Sequence, residues 1–366
     1  MSLARRNLLQ DRTRLALSVS GVALAVMLML LLNGLLGGMY TQIGAYLDHS
    51  PGSLVVAQKG VRNLLGATSL LPPGTDARVN AESGVARGIP VVSQFIILDL
   101  HGRKQPTYMI GYAPAQGGGP WQLVSGRAPR TDDEMVFDQV LAQRHNIALG
   151  DVAPVMGRDF TVVGLSGGTA SWMTSFIFVR KTAAEALLRA PDATSFILVT
   201  PAPNTSTEVL RERLSSLPGV EAVLKADMVA NDVTLIARFF SIPLQLMVAI
   251  AFLVGTLVVG LVIYTATTER RREYGMLKAI GARNRLLYRV VATQALLAAL
   301  AGAVLGIGLA FGVAQLIMAA RPQFLVALAP PAIAEVLGAT LLMAIMAALI
   351  PARLLARLAP AETFRK

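Results

Sequence analysis

The chain has 366 residues, 54% of them hydrophobic, and a mean hydropathy of +0.56, too apolar for an ordinary soluble protein of this size. Cysteine is absent, which excludes a disulfide framework or a thiolate metal site, and His49, His101 and His145 lie far apart in sequence. The formal charge of +11 gathers beside apolar runs: at Arg5, Arg6, Arg12 and Arg14, across Arg270–Arg289, and at Arg353, Arg357, Arg365 and Lys366. That is the positive-inside pattern of a membrane protein, and no aromatic residues interleave the clusters as a nucleic-acid surface requires.

The first apolar run, Leu15–Met39, carries no charge. It is too long for a signal-peptide core and no A-x-A-like site closes it. At 1.5 Å per residue it reaches roughly 37 Å, beyond the ~30 Å hydrocarbon core, so it tilts or projects as a stalk. Composition then shifts across Tyr46–Thr234 to turn residues and short apolar alternations. Strands are expected at Leu54–Ala57, Phe95–Leu100, Thr107–Gly111, Glu134–Phe137, Phe160–Val163, Phe176–Val179, Phe196–Val199 and Val220–Leu224. The second and third join through His101-Gly102-Arg103-Lys104, and a short helix covers Gln139–His145. Two further helices carry capping-box signatures, Thr182 with Glu185 and Thr205 with Glu208. The second lies between strands as a β-α-β unit. This length buries a core, read as a mixed α/β domain of two subdomains.

Ile242–Ala266, Val290–Ala319 and Ile333–Ile350 are the remaining spans, and the loop Ala320–Ala332 holds one basic residue, Arg321, and three prolines. The fold class is therefore α-helical membrane protein, with four transmembrane helices, plus one mixed α/β extracytoplasmic domain. Both termini lie in the cytoplasm. The boundaries are 1–45 for the N-terminus and first helix, 46–234 for the external domain, and 235–366 for the other three spans, with a charged segment at 269–283.

That segment lies within the charged stretch Glu269–Arg289, ERRREYGMLKAIGARNRLLYR. As a helix it places Glu273, Met276, Leu277 and Ile280 on one face, and Arg271, Tyr274 and Lys278 on the other. Gly281 suits a left-handed C-cap and Asn284 can cap the next helix. Two readings stand open here: a surface gripped from outside the bilayer, or an anchor at the lipid headgroups.

Arg272-Glu273-Tyr274-Gly275-Met276-Leu277-Lys278-Ala279-Ile280-Gly281-Ala282 resembles the cytoplasmic "REIGILRALGA" segment of FtsX/MacB-type ABC transporter permeases, with Tyr274 in place of the usual isoleucine. The resemblance implies that Glu273, Tyr274, Gly275, Met276, Leu277, Ala279, Ile280, Gly281 and Ala282 form a coupling helix that docks on an ATPase subunit. Gly126-Arg127, Asp133-Glu134-Met135-Val136, Leu149-Gly150-Asp151 and Phe160-Thr161-Val162-Val163-Gly164 are similar to the MacB-like periplasmic core domain. The N-terminal Arg6-Asn7-Leu8 also fits, as does Pro351-Ala352-Arg353 with Arg357-Leu358-Ala359-Pro360, which resembles the family's "PARRAARLDP" ending but lacks its aspartate.

The resemblance further implies a bacterial inner-membrane location and a second permease chain, identical or paralogous. It also admits a periplasmic adaptor. No cofactor is expected on this chain; ATP and Mg belong to the ATPase partner. No G-x-x-x-x-G-K-[ST] occurs, and Gly117–Gly119 lacks the Lys-Ser/Thr of a phosphate-binding loop.

Gly164-Leu165-Ser166-Gly167-Gly168 matches G-x-S-x-G after a strand, but no histidine follows His145, so the order of a serine hydrolase of that fold is not met. It reads as a turn. The spans hold few polar residues: Asn33, Gln245, Gln294, Gln315 and, near one end, Glu335. An ion-coupled carrier needs buried ionisable groups near the midplane, so that class is disfavoured. Small-xxx-small pairs occur at Gly34/Gly38, Gly302/Gly306 and Gly308/Gly312, faces that suit close packing within the chain or against a second copy. The reading is a permease subunit that passes ATP-driven motion of a separate ATPase to its external domain to export or extract a substrate. The alternative is an FtsX-like signal transmitter acting on cell-wall hydrolases, whose external domain is typically much smaller.

Overall fold

The computed structural model describes residues 12–171, 174–269, 271–280 and 284–356. Its first elements are α1 (Arg12–His49), β1 (Leu54–Gln58), α2 (Thr75–Ala81), β2 (Val85–Leu100), β3 (Arg103–Tyr112), β4 (Leu123–Gly126), β5 (Glu134–Asp138) and α3 (Gln139–His145). Then come β6 (Val152–Val155), β7 (Arg158–Ser166), β8 (Ser175–Arg180), α4 (Lys181–Leu188), β9 (Phe196–Pro201), α5 (Thr207–Ser215) and β10 (Val220–Leu224). The chain continues through α6 (Lys225–Glu269), α7 (Arg271–Ala279), α8 (Asn284–Ala320) and α9 (Pro330–Ala356). Two compact units result: a helical one, comprising the chain to Gly38, Phe240–Arg321 and the chain from Leu325, and a sheet unit, Met39–Phe239 with Pro322–Phe324.

In the helical unit, α1, α6, α8 and α9 are long and apolar enough to cross a membrane. Their shared core joins Val22, Val26 and Met29 of α1, Val259 and Ile263 of α6, Val291 and Ala295 of α8, and Met343 and Ala347 of α9. Outward, Leu246, Leu253, Leu257, Leu300 and Leu341 are more than half exposed, the surface expected of helices solvated by lipid rather than water.

The sheet unit carries ten strands in the order β10-β1-β9-β2-β3-β8-β5-β7-β4, with β6 also on β7. Two subdomains are expected; the region is one compact unit, and one strand runs through both halves of its sheet. The first half of β2 pairs with β9 and its second half with β3, so the sixteen-residue strand serves both. On one side β9 and β10 both run antiparallel to β1, and α5 crosses between them, which makes the expected β-α-β unit a split one. On the other side β5 and β7 are parallel, joined through α3 and β6.

Several local expectations are corrected. The β2–β3 link is a two-residue turn, His101-Gly102, rather than four residues. Both have positive φ, 55° and 76°, the pattern that matches strand twist in a tight hairpin. The Asp99 carboxylate accepts the Gly102 N–H at 2.8 Å. Neither capping-box threonine caps its helix. The N-caps are Arg180 and Ser206, without side-chain hydrogen bonds. Strand β8 runs straight into α4, so Thr182 already lies inside the helix and its hydroxyl donates to Asp132 at 2.6 Å.

Helix α6 begins at Lys225, well inside the segment read as external. Polar residues such as Asp227, Asn231 and Asp232 hide it from an apolar-run search, and tertiary contacts rather than hydropathy sustain its first turns.

Candidate functional site

Helix α7 starts one residue beyond α6. Among its nine residues, those whose side chains are described fall into a buried and an exposed set. Tyr274 is buried in the core cluster of the helical unit, with Ile263, Leu287 and Val291 among its members, and Gly275 is buried beside it. On the far side Met276 is half exposed and Ile280 is 82% exposed. Glu273 and Ala279 are also exposed. The chain closes this turn through the Ile280 N–H, which donates to the Met276 carbonyl at 3.1 Å. A short helix gains little stability alone, so the buried tyrosine ring supplies what backbone hydrogen bonding lacks. Gly281 and Ala282 lie outside the described residues, as do the Leu277 and Lys278 side chains, Arg6-Asn7-Leu8 and the 357–360 motif.

The three glycine pairs meet different surroundings. A Cβ on Gly302 would sit 2.5 Å from Val22, and one on Gly306 2.6 Å from the Ala23 carbonyl, so this pair admits α1 against α8. Gly34 and Gly38 instead accommodate the segment before α9. A Cβ on Gly34 would lie 2.8 Å from Val326, one on Gly38 would collide with the Leu325 carbonyl, and the Ala327 N–H donates to the Gly34 carbonyl at 2.9 Å. Gly308 and Gly312 have nothing within 4 Å of such a Cβ.

Within the sheet unit, the ends of α1 and α6 are fixed separately. The Tyr46 hydroxyl donates to the Gly118 carbonyl at 2.8 Å, and its ring stacks on Phe176 with centroids 5.7 Å apart. His49 stacks on Trp121 at 5.0 Å. On α6, the buried Asp232 carboxylate accepts the N–H groups of Leu64 and Leu65 at 3.1 and 2.9 Å, one on each oxygen. These anchors escaped sequence reasoning because each partner is distant in the chain. The only local signals are a lone acid and a lone tyrosine beside apolar runs.

The four motif segments of the sheet unit converge. Arg127 meets Glu134 through both guanidinium nitrogens. Gly126 has φ 77°, and a side chain there would strike the Val163 carbonyl. The Gly150 N–H donates to Val162 and the Val162 N–H to Asp151, both at 2.8 Å. Ser166 is fully buried as the last residue of β7, in a strand rather than in the turn expected: its hydroxyl meets Thr169 at 2.7 Å, which in turn donates to Asp138 at 2.6 Å. Burial raises the Asp138 pKa above its ordinary value, and the side chain caps α3 by accepting the Leu141 N–H at 2.8 Å. The group is a buried polar corner with no open face for a substrate.

Residues 15–217, more than half of the chain, match the MacB-like periplasmic core domain, and residues 246–360 match the FtsX-like permease C-terminal family. The chain belongs to the FtsX-like permeases with a MacB-like periplasmic core domain. The permease is 27% identical to an uncharacterized ABC transporter permease of Mycobacterium tuberculosis over 310 residues, 84% of each chain. It is 29% identical to the macrolide export ATP-binding/permease protein MacB of Chromobacterium violaceum over 140 residues, 38% of this chain and 22% of that one. The periplasmic region of MacB from Actinobacillus actinomycetemcomitans superposes at TM-score 0.37 and 16% identity, covering 50% of this chain and 94% of that one. The permease is a multi-pass membrane protein with four candidate spans, the membrane subunit of an ABC transporter.

Proposed function

We propose that this permease transmits ATP-driven motion of a separate ATPase subunit to its sheet unit, which exports or extracts a substrate. The ATPase would hold ATP and Mg and dock on α7 from the cytoplasm, where the basic clusters locate Glu269–Arg289. The observation that carries the reading is the division of α7: Tyr274 ties it to the bundle while Met276 and Ile280 stand exposed. Apolar side chains held outward on a fixed helix fit a groove on another protein. Helix α6, ending just before α7, is continuous over 45 residues into the sheet unit, where Asp232 anchors it. A push at α7 would reach the sheet unit through this one helix, which carries Pro243 inside it.

The M. tuberculosis relative, aligned over most of its length, is named as a permease alone, whereas the C. violaceum protein is named as both ATP-binding and permease. That contrast supports a non-catalytic subunit here. The uncovered Gly308/Gly312 face is offered to a second permease chain, and a periplasmic adaptor would act on the sheet unit.

The test is reconstitution of the permease with its ATPase in proteoliposomes, with a fluorophore on Ser83→Cys in the sheet unit. ATP with Mg should change the emission, and Met276→Asp should abolish the change. Emission that ignores ATP would contradict the proposal.

A further inference from the structure

Between α8 and α9 lies a groove of about 520 Å³, lined by Tyr288, Ala292 and Leu296 on one helix and by Leu341, Ile345 and Arg353 on the other. The α8 residues recur every four positions, and the α9 residues occupy one face from Leu341 to Arg353. By helical rise the lining extends roughly 12 Å along α8 and 18 Å along α9, bracketing the ~15 Å of one membrane leaflet. The groove is long, apolar and open on one side, and an extended hydrocarbon chain fits along it.

The two ends of the groove differ. Its walls are aliphatic, and polarity is confined to the end marked by Tyr288 and Arg353. Arg285 and Arg289, within a turn of Tyr288 on α8, are exposed at the same end. No acidic residue occurs from Tyr274 to Ala334, and the only acid of α9, Glu335, stands at its opposite end, roughly 27 Å from Arg353 by helical rise. Glu269 and Glu273, on α6 and α7, each have an interaction of their own. The groove thus ends in guanidinium charge with no carboxylate on either helix that forms it.

We propose that this groove binds an anionic glycerophospholipid, with one acyl chain between α8 and α9 and the phosphate on Arg353. The phenol of Tyr288 adds a hydrogen-bond donor at headgroup level, the usual station of tyrosine in a membrane. Arginine suits the contact because its fork presents several N–H donors to phosphate oxygens. The site is independent of the ATPase reading, since it requires only that the four helices sit in lipid.

The test is native mass spectrometry of the full chain in mild detergent, titrated with phosphatidylglycerol or with phosphatidylcholine of the same acyl composition. One guanidinium at a headgroup corresponds to a preference of roughly fivefold for phosphatidylglycerol. Arg353→Gln should abolish that preference, lowering phosphatidylglycerol binding more than phosphatidylcholine binding, since both phosphates meet the guanidinium but only the first headgroup carries net charge. Ala292→Phe fills the groove from its exposed side and should weaken both lipids; Ala292→Leu serves if the phenylalanine variant misfolds. Equal binding of the two lipids by the wild type, or a preference that survives Arg353→Gln, would overturn the proposal. So would a disulfide-linked dimer of Ile345→Cys in a chain with no native cysteine, since the groove would then be covered by a second copy.

Discussion

Arg127 grips Glu134 with both arms of its guanidinium, Nη1 to Oε2 at 2.7 Å and Nη2 to Oε1 at 2.6 Å. The Arg130 N–H adds a third donor to Oε2 at 2.6 Å. The pair joins the end of β4 to the start of β5, two strands that sit on opposite sides of β7. The Arg127 hydrogen bonds, reinforced by the backbone donors, hold the Glu134 carboxyl down at about 2. Its folded pKa is below the ordinary 4.5, so the stability it contributes is present above that value and lost as pH falls toward 2. Glu134→Gln should cost about 2 kcal/mol at neutral pH and flatten the acid limb of the unfolding curve. Both tryptophans, Trp121 and Trp172, lie in this domain, so their fluorescence follows its unfolding in the full chain.

His145 predicts a second pH effect at higher pH. It is buried at the end of α3 and its Nε2 has no hydrogen-bond partner. Burial, and then the nearby charges of Arg144, Arg103 and His101, lower its pKa below the ordinary 6.5. The fold favours the neutral ring. Stability from this source is full above about pH 6.5 and declines as acid protonates the unfolded chain first. Acidification from pH 7 to pH 5.5 should therefore lower the tryptophan-monitored urea midpoint of the wild type relative to that of His145→Gln, a difference free of the opposite effect of Asp232, whose carboxyl burial pushes up to about 6.

The glycine pairs separate by substitution. Gly38→Ala forces a methyl into the Leu325 carbonyl, backbone that cannot swing aside, and should cost about 1–3 kcal/mol. Gly308→Ala meets nothing within the chain and should leave the thermal stability of the detergent-solubilised monomer unchanged or slightly raised. If the Gly308 face receives a second permease, Gly308→Leu should lower the dimer fraction at constant monomer stability.

Ser166→Ala is expected to cost about 1 kcal/mol, because the Thr169 hydroxyl keeps its bond to Asp138 when the serine is gone. Substrate movement by the assembled transporter should persist. Loss of movement with a normally folded chain would restore a chemical role to this serine.

The four spans were legible because apolar runs this long have few other uses, and the strands that were read stood out as short apolar runs, buried nearly throughout in β1, β5, β8 and β9 and alternating in β7, whereas β4, β6 and the first half of β2 did not stand out. Helix α6 shows where that legibility ends. Its first turns are held by Met228 and Asp232 against residues more than a hundred positions away, and a polar helix of that kind resembles domain surface. Tyr274 is a similar case. The substitution for isoleucine reads as a change of bulk, yet the ring is a buried member of the bundle core. The motif segments around Arg127, Glu134, Gly150 and Val162 were visible singly; their convergence depends on β5 and β4 both pairing with β7, which local patterns do not encode.

The most direct measurement concerns Ile280, 82% exposed and the most exposed large apolar residue among the described residues. Ile280→Asp places a charge where an apolar groove is proposed, and an unpaired buried charge costs several kcal/mol, enough to weaken docking many-fold. Copurification of the ATPase with tagged permease from solubilised membranes measures the effect. The account predicts normal insertion and abundance, with the ATPase lost from the complex and Glu273→Ala milder, as a charge at the rim of an interface would be. Wild-type recovery of the ATPase with Ile280→Asp would contradict it and make α7 an anchor at the headgroups.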